Sequence, residues 1–89
     1  MEKKIEKYLV TKVEALGGLC VKFAPLFFAG FPDRIVLLPG GRCIFVELKA
    51  PGKKPNALQL RVHGVLRGVG FRVDVLDSKE MVDDFLLTL

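Results

Sequence analysis

An α/β fold, built on one mixed four-stranded sheet with helices against both faces, is what this chain predicts, and three observations carry the expectation. Apolar residues recur at helical spacing near the start. Short β-branched runs follow, two of them joined by Pro39-Gly40-Gly41, and a second helical stretch then leads into another alternating run. Antiparallel strands followed by a helical crossover make a mixed sheet, and 89 residues leave room for one core and one domain spanning 1–89.

The order αβββαβα follows element by element. Ile5, Leu9, Val13 and Leu16 repeat every three or four residues and Gly17-Gly18 closes the segment, which predicts an amphipathic helix over 2–16. Residues 19–24 read as the first strand, 34–38 as the second and 42–49 as the third, with the Pro-Gly-Gly turn making a hairpin of the last two. Asn56 can cap a helix whose apolar stripe is Leu58, Val62, Val65, Leu66 and Val69 and which ends at Gly70. Residues 71–76 alternate as the fourth strand. Ser78 caps a last helix that buries Met81, Val82, Phe85 and Leu86.

One constellation carries chemistry. Pro32-Asp33 is followed, after thirteen residues, by Glu47-Leu48-Lys49. Side chains in a strand alternate faces, so Glu47 and Lys49 share one, and the hairpin brings Asp33 beside them. Two carboxylates so placed repel unless a cation lies between them, and a hard cation such as Mg²⁺ takes one or two carboxylates together with phosphate oxygens and water. That layout suits a metal-activated water attacking a phosphodiester, with Lys49 orienting the nucleophile or stabilising the transition state. Taken singly, Glu-x-Lys is a common solvated ion pair and Pro-Asp a common turn opener. Their conjunction at the ends of paired apolar strands favours a site.

Composition points to the partner. A net charge of +4 suits a polyanion, and Lys49, Lys53, Lys54 and Arg61 follow directly on the acid pair, the middle two between Pro51 and Pro55. Cys20 and Cys43 fall in apolar runs with no zinc spacing, so reduced core thiols are expected. The charged, helical N-terminus is unlike a signal peptide, and no apolar run reaches the roughly 18 residues that span a bilayer. An intracellular protein without membrane contact is expected.

Gly30-Phe31-Pro32-Asp33-Arg34, Phe45-Val46-Glu47-Leu48-Lys49 and the following Gln59, within this element order, resemble the PD-(D/E)xK nuclease superfamily. More closely, they resemble its virus-type replication-repair nuclease domain, VRR-NUC, over nearly the whole chain. The resemblance implies a restriction-endonuclease-like core and Mg²⁺- or Mn²⁺-dependent cleavage of DNA. It implies Asp33, Glu47 and the Leu48 carbonyl as metal ligands, Lys49 as the catalytic lysine and Gln59 as a site residue, although Gln59 could equally complete a capping box with Asn56. Lys53, Lys54, Arg61 and Arg34 are the candidate DNA contacts. Free-standing members of this size resemble Holliday junction resolvases, which act as homodimers on four-way DNA, and a chain this short suggests a phage source. A flap or restriction-like nuclease and a non-catalytic DNA-binding module are the alternatives.

The family also places a carboxylate on the first helix, for which Glu2 and Glu6 are both candidates. Angle around the helix favours Glu2; position away from the fraying end favours Glu6, which is preferred. Two further features stand apart. His63, between Val62 and Gly64, reads as a surface or groove histidine. The apolar run from Leu26 to Phe31 is unusual for a loop and suggests a subunit interface, with a wedge against unstacked bases or plain core packing as alternatives.

Overall fold

The computed structural model describes residues 3–89. Helix α1 (Lys3–Ala15) leads into three strands, β1 (Leu19–Lys22), β2 (Arg34–Leu38) and β3 (Arg42–Leu48). Helix α2 (Ala57–Gly68) crosses to β4 (Arg72–Leu76), and α3 (Lys79–Leu87) follows. The strands lie side by side in the order β1-β2-β3-β4, with antiparallel pairing up to β3 and a parallel β3–β4 pair. This is the expected mixed sheet in the expected order.

Strand alternation divides the side chains between two layers. On one face Val36, Leu38, Ile44, Val46, Leu48 and Leu76 pack against Ile5, Leu9 and Val13 of α1 and Val82 and Phe85 of α3, forming the core. On the other face Phe45, Glu47 and Val73 lie beneath α2. Four edge-to-face contacts, each with ring centroids 5.2–5.3 Å apart, run across that second face as Phe23–Phe31, Phe28–Phe31, Phe31–Phe45 and Phe45–Phe71. Such pairs stabilise beyond their buried area.

Two glycines fix how the β1–β2 segments sit. At Gly18 a Cβ would come within 2.6 Å of the Leu37 carbonyl oxygen, so α1 can turn into β1 only on a bare backbone. At Gly30, where φ is +85°, a Cβ would meet Leu58 Cγ at 2.9 Å. That close approach seats the β1–β2 loop on the first turn of α2.

Several apolar positions depart from the expected pattern. Leu16 is half exposed because α1 ends at Ala15 and the chain turns away. Met81 faces out, leaving Val82 and Phe85 as the buried residues of α3. In α2 the expected stripe is rotated off the sheet: Leu58, Val65 and Val69 are exposed, and the buried pair is Val62 and His63. One helix cannot cover the whole of that face. The surface or groove position expected for His63 is corrected accordingly, since its side chain is wholly buried. Cys20 and Cys43 are free thiols of intermediate burial, and Cys20 packs against the core as expected.

Candidate active site

The acid pair is assembled by strand register. Arg34 pairs with Val46 across β2 and β3, so Asp33, one residue before β2, falls beside Glu47 and Leu48. Asp33 Oδ1 accepts the Leu48 N–H at 3.1 Å, a bond that pins the start of β2 to the end of β3. Pro32 beside it is fully buried, which holds the approach to Asp33 rigid. Lys49 extends β3, its N–H donated to the Leu76 carbonyl at 3.0 Å, and its Nζ lies 3.9 Å from Glu47 Oε2.

Gln59 contacts both the cap of its own helix and the acid pair. It completes the capping box of α2, its N–H donated to Asn56 Oδ1 at 2.8 Å and its Oε1 accepting the Asn56 N–H at 2.9 Å. With Oε1 so engaged, its Nε2 is left to donate to Glu47 Oε2 at 3.3 Å.

The electrostatics are those of two carboxyls whose burial works against their charge. Glu47 is 3% exposed. Burial, then the Asp33 charge, push its carboxyl up to about 7, with Lys49 opposing. Burial also raises Asp33, against the Leu48 hydrogen bond. Glu47 Oε1 is buried and has no hydrogen-bond partner among the described residues. Asp33, Glu47 and Leu48 line an open cleft with Lys49, Ala50, Lys53 and Lys54. Among the described residues no group of three or more His, Cys, Asp or Glu side chains is arranged to hold a metal ion. Two hard carboxylates, one with an unsatisfied oxygen, still fit a cation such as Mg²⁺ that keeps part of its water shell.

No protein-family model matches the chain. It is 50% identical over 80 residues to "Putative nuclease p44" of Acyrthosiphon pisum secondary endosymbiont phage 1, an alignment covering 90% of this chain and 86% of the relative. A solved structure described as a VRR_NUC domain superposes with a TM-score of 0.91 at 40% identity, covering 96% of this chain and 92% of that one. The chain belongs to the VRR-NUC family.

In this VRR-NUC domain the remaining expected residues are distributed unevenly. Glu6 meets Arg34 on the α1 side of the sheet, 2.8 Å from its Nη2, and does not line the cleft, although its charge adds to the upward push on Asp33. Glu2 lies outside the described residues. Arg34, expected as a DNA contact, is held inside the fold: its side chain is 12% exposed, paired with Glu6, and donates to the Cys20 carbonyl at 3.0 Å. Arg61 is exposed on α2 and does not line the cleft.

His63 is the residue that sequence reasoning misplaced. Its Nε2 lies 3.5 Å from Glu47 Oε1, and neither ring nitrogen has a hydrogen-bond partner among the described residues. Burial, then the charges of Arg67 and Lys49, lower its pKa, which favours the neutral ring. A signal existed in the spacing, since Gln59 and His63 are four residues apart and so share a helix face.

Proposed function

We propose that this VRR-NUC domain is a DNA endonuclease that hydrolyses phosphodiester bonds with Mg²⁺ or Mn²⁺ as cofactor. The observation that carries the reading is the adjacent pair of half-buried Asp33 and buried Glu47, with both carboxyls raised and Glu47 Oε1 unsatisfied. Such a pair is costly unless a cation completes it. The name of the phage relative and the family itself support the nuclease assignment.

Asp33, Glu47 and the Leu48 carbonyl are the groups to hold the ion, which when bound supplies Lewis acidity toward the scissile phosphate and a more acidic attacking water. The protein's own side chains do the rest. Lys49, close to Glu47 and open to the cleft, places a positive charge where negative charge develops on the phosphorane oxygens. Gln59 holds Glu47 through Oε2. Lys53 and Lys54, on the cleft rim, receive backbone phosphates on either side of the cut. Glu6 acts from behind, by holding Arg34 and the start of β2.

Four-way DNA is the substrate that the reading favours, cut by a homodimer that offers two sites to opposed strands. The apolar surface supports a dimer: Leu26 is 91% and Phe27 99% exposed, and Leu58, Leu60, Val65 and Val69 continue exposed along α2, which carries the loop through Gly30. No helix of the described residues is long and apolar enough to cross a membrane.

Cleavage of labelled four-way junction, flap and linear duplex DNA with Mg²⁺ or Mn²⁺ tests the proposal. Paired symmetric nicks in the junction, lost in Asp33→Asn and Glu47→Gln, are expected. Preferential cutting of flaps or linear duplex would transfer the assignment to another nuclease type. No metal-dependent cutting of any substrate would leave a DNA-binding module.

A further inference from the structure

An imidazole has no packing reason to occupy the slot that His63 fills. The side chain is wholly buried under α2, where a methionine or leucine would take similar space without giving up hydration. Both ring nitrogens lack a hydrogen-bond partner among the described residues, and so does the nearest acceptor, Glu47 Oε1, 3.5 Å from Nε2. The two oxygens of Glu47 are thus addressed from different directions: Gln59 and Lys49 approach Oε2, and His63 alone among the described residues approaches Oε1. Gln59 and His63 lie one turn apart on the same helix, so both reach the carboxylate from one rigid element.

We propose that His63 is a positioning residue for the acid pair, its ring donating Nε2–H to Glu47 Oε1 and fixing the orientation in which that carboxylate would meet a divalent cation. The inference rests on the metal-dependent reading of the site. The 3.5 Å separation is longer than a formed hydrogen bond, and site contacts of this kind tighten when the site is loaded. Groups that hold a ligating carboxylate from behind set its orientation and basicity, and losing one lowers metal affinity about 10- to 100-fold. In this tautomer Nδ1 is the acceptor and Nε2 the donor, which makes the arrangement directly observable.

The test compares the wild type with His63→Gln, whose amide can still donate, and His63→Met, which fills the slot without a donor. Mn²⁺ alone is titrated calorimetrically into each DNA-free protein, and ring ¹⁵N shifts are read in the wild type. Expected are a loss of Mn²⁺ affinity of at least about tenfold in His63→Met, retention within about threefold in His63→Gln, and a ring protonated at Nε2. Wild-type affinity in His63→Met, or equal losses in both variants, would overturn the proposal while leaving the metal site standing. If His63→Met does not fold, the ring shifts and His63→Gln decide: protonation at Nδ1, or a large loss in the glutamine variant, overturns it. A wild type that binds no Mn²⁺ at millimolar concentration removes the metal site itself, and this role with it.

Discussion

Asp33 Oδ1 accepts the backbone N–H of Leu48 at 3.1 Å, so one carboxylate ties together the two strand ends that carry the acid pair. The second oxygen of Asp33 is not engaged by this bond, which would separate its structural role from the metal-binding role proposed for it.

Asp33→Asn and Asp33→Ala should therefore part company. Asparagine keeps an oxygen for the Leu48 N–H and removes a half-buried charge, so its urea midpoint should equal or exceed that of the wild type while cleavage is lost. Alanine leaves the Leu48 N–H unpaired and should cost about 1–3 kcal/mol. Equal destabilisation in both variants would show that the hydrogen bond does not hold the strands.

The raised carboxyl of Glu47 makes the metal-free protein pH-sensitive in a definite direction. Its folded value of about 7 lies above the 4.5 of a free glutamate, so between those values the folded state holds a proton that the unfolded chain has released. Stability from this group is fully present below 4.5 and is lost as pH rises through 7. Asp33 shifts in the same sense. His63 opposes them: its pKa is lowered, so its contribution is present above 6.5 and is lost as pH falls. Urea unfolding in chelator isolates Glu47 by comparison with Glu47→Gln. The variant's advantage should grow from about pH 4.5 to 7 and then level off; an advantage independent of pH contradicts the shift.

Asn56 touches nothing in the cleft, yet its substitution should be felt there. Asn56→Ala removes the side-chain cap of α2, at about 1 kcal/mol, and loosens the first turn. The backbone N–H that Gln59 Oε1 accepts is kept, so the Gln59 side chain that reaches Glu47 is loosened with that turn rather than released. Thermal unfolding should register the first effect and a lower cleavage rate the second. Asn56→Asp, which restores the capping acceptor, should recover stability.

Arginine and lysine near the site should separate by function. Arg34→Ala leaves Glu6 partly buried without its partner and should cost about 2–4 kcal/mol. Lys53→Ala and Lys54→Ala should leave the unfolding midpoint unchanged, weaken DNA binding and lower the salt slope by about one each. Arg34→Ala with wild-type stability and reduced DNA affinity would return that residue to the DNA surface.

Legibility in the sequence followed the range of the interactions. Asp33, Glu47 and Lys49 could be placed because strand alternation and one tight hairpin turn are local rules, and β2 and β3 pair within a few residues of that turn. Asn56 and Gln59 were readable for the same reason, since a capping box closes over three residues. The rotation of α2 was not: Val62 and His63 are buried by how the helix docks on a sheet assembled from distant strands, and the apolar count along the helix pointed elsewhere. The Arg34–Glu6 ion pair was not readable, because a charged side chain looks like surface until its partner arrives from another element.

The parallel pairing of β3 with β4 also orders events in time. Three antiparallel neighbours can zip along the chain, whereas β4 reaches β3 only after the intervening helix has been laid down. Contacts between distant segments form late because their loop entropy must be overcome first. The acidic half of the centre belongs to the early meander, and Gln59 and His63 belong to the late crossover. A chain still emerging from the ribosome with β3 just released, or one cut after β3, therefore carries the two acids without the helix whose Gln59 reaches Glu47.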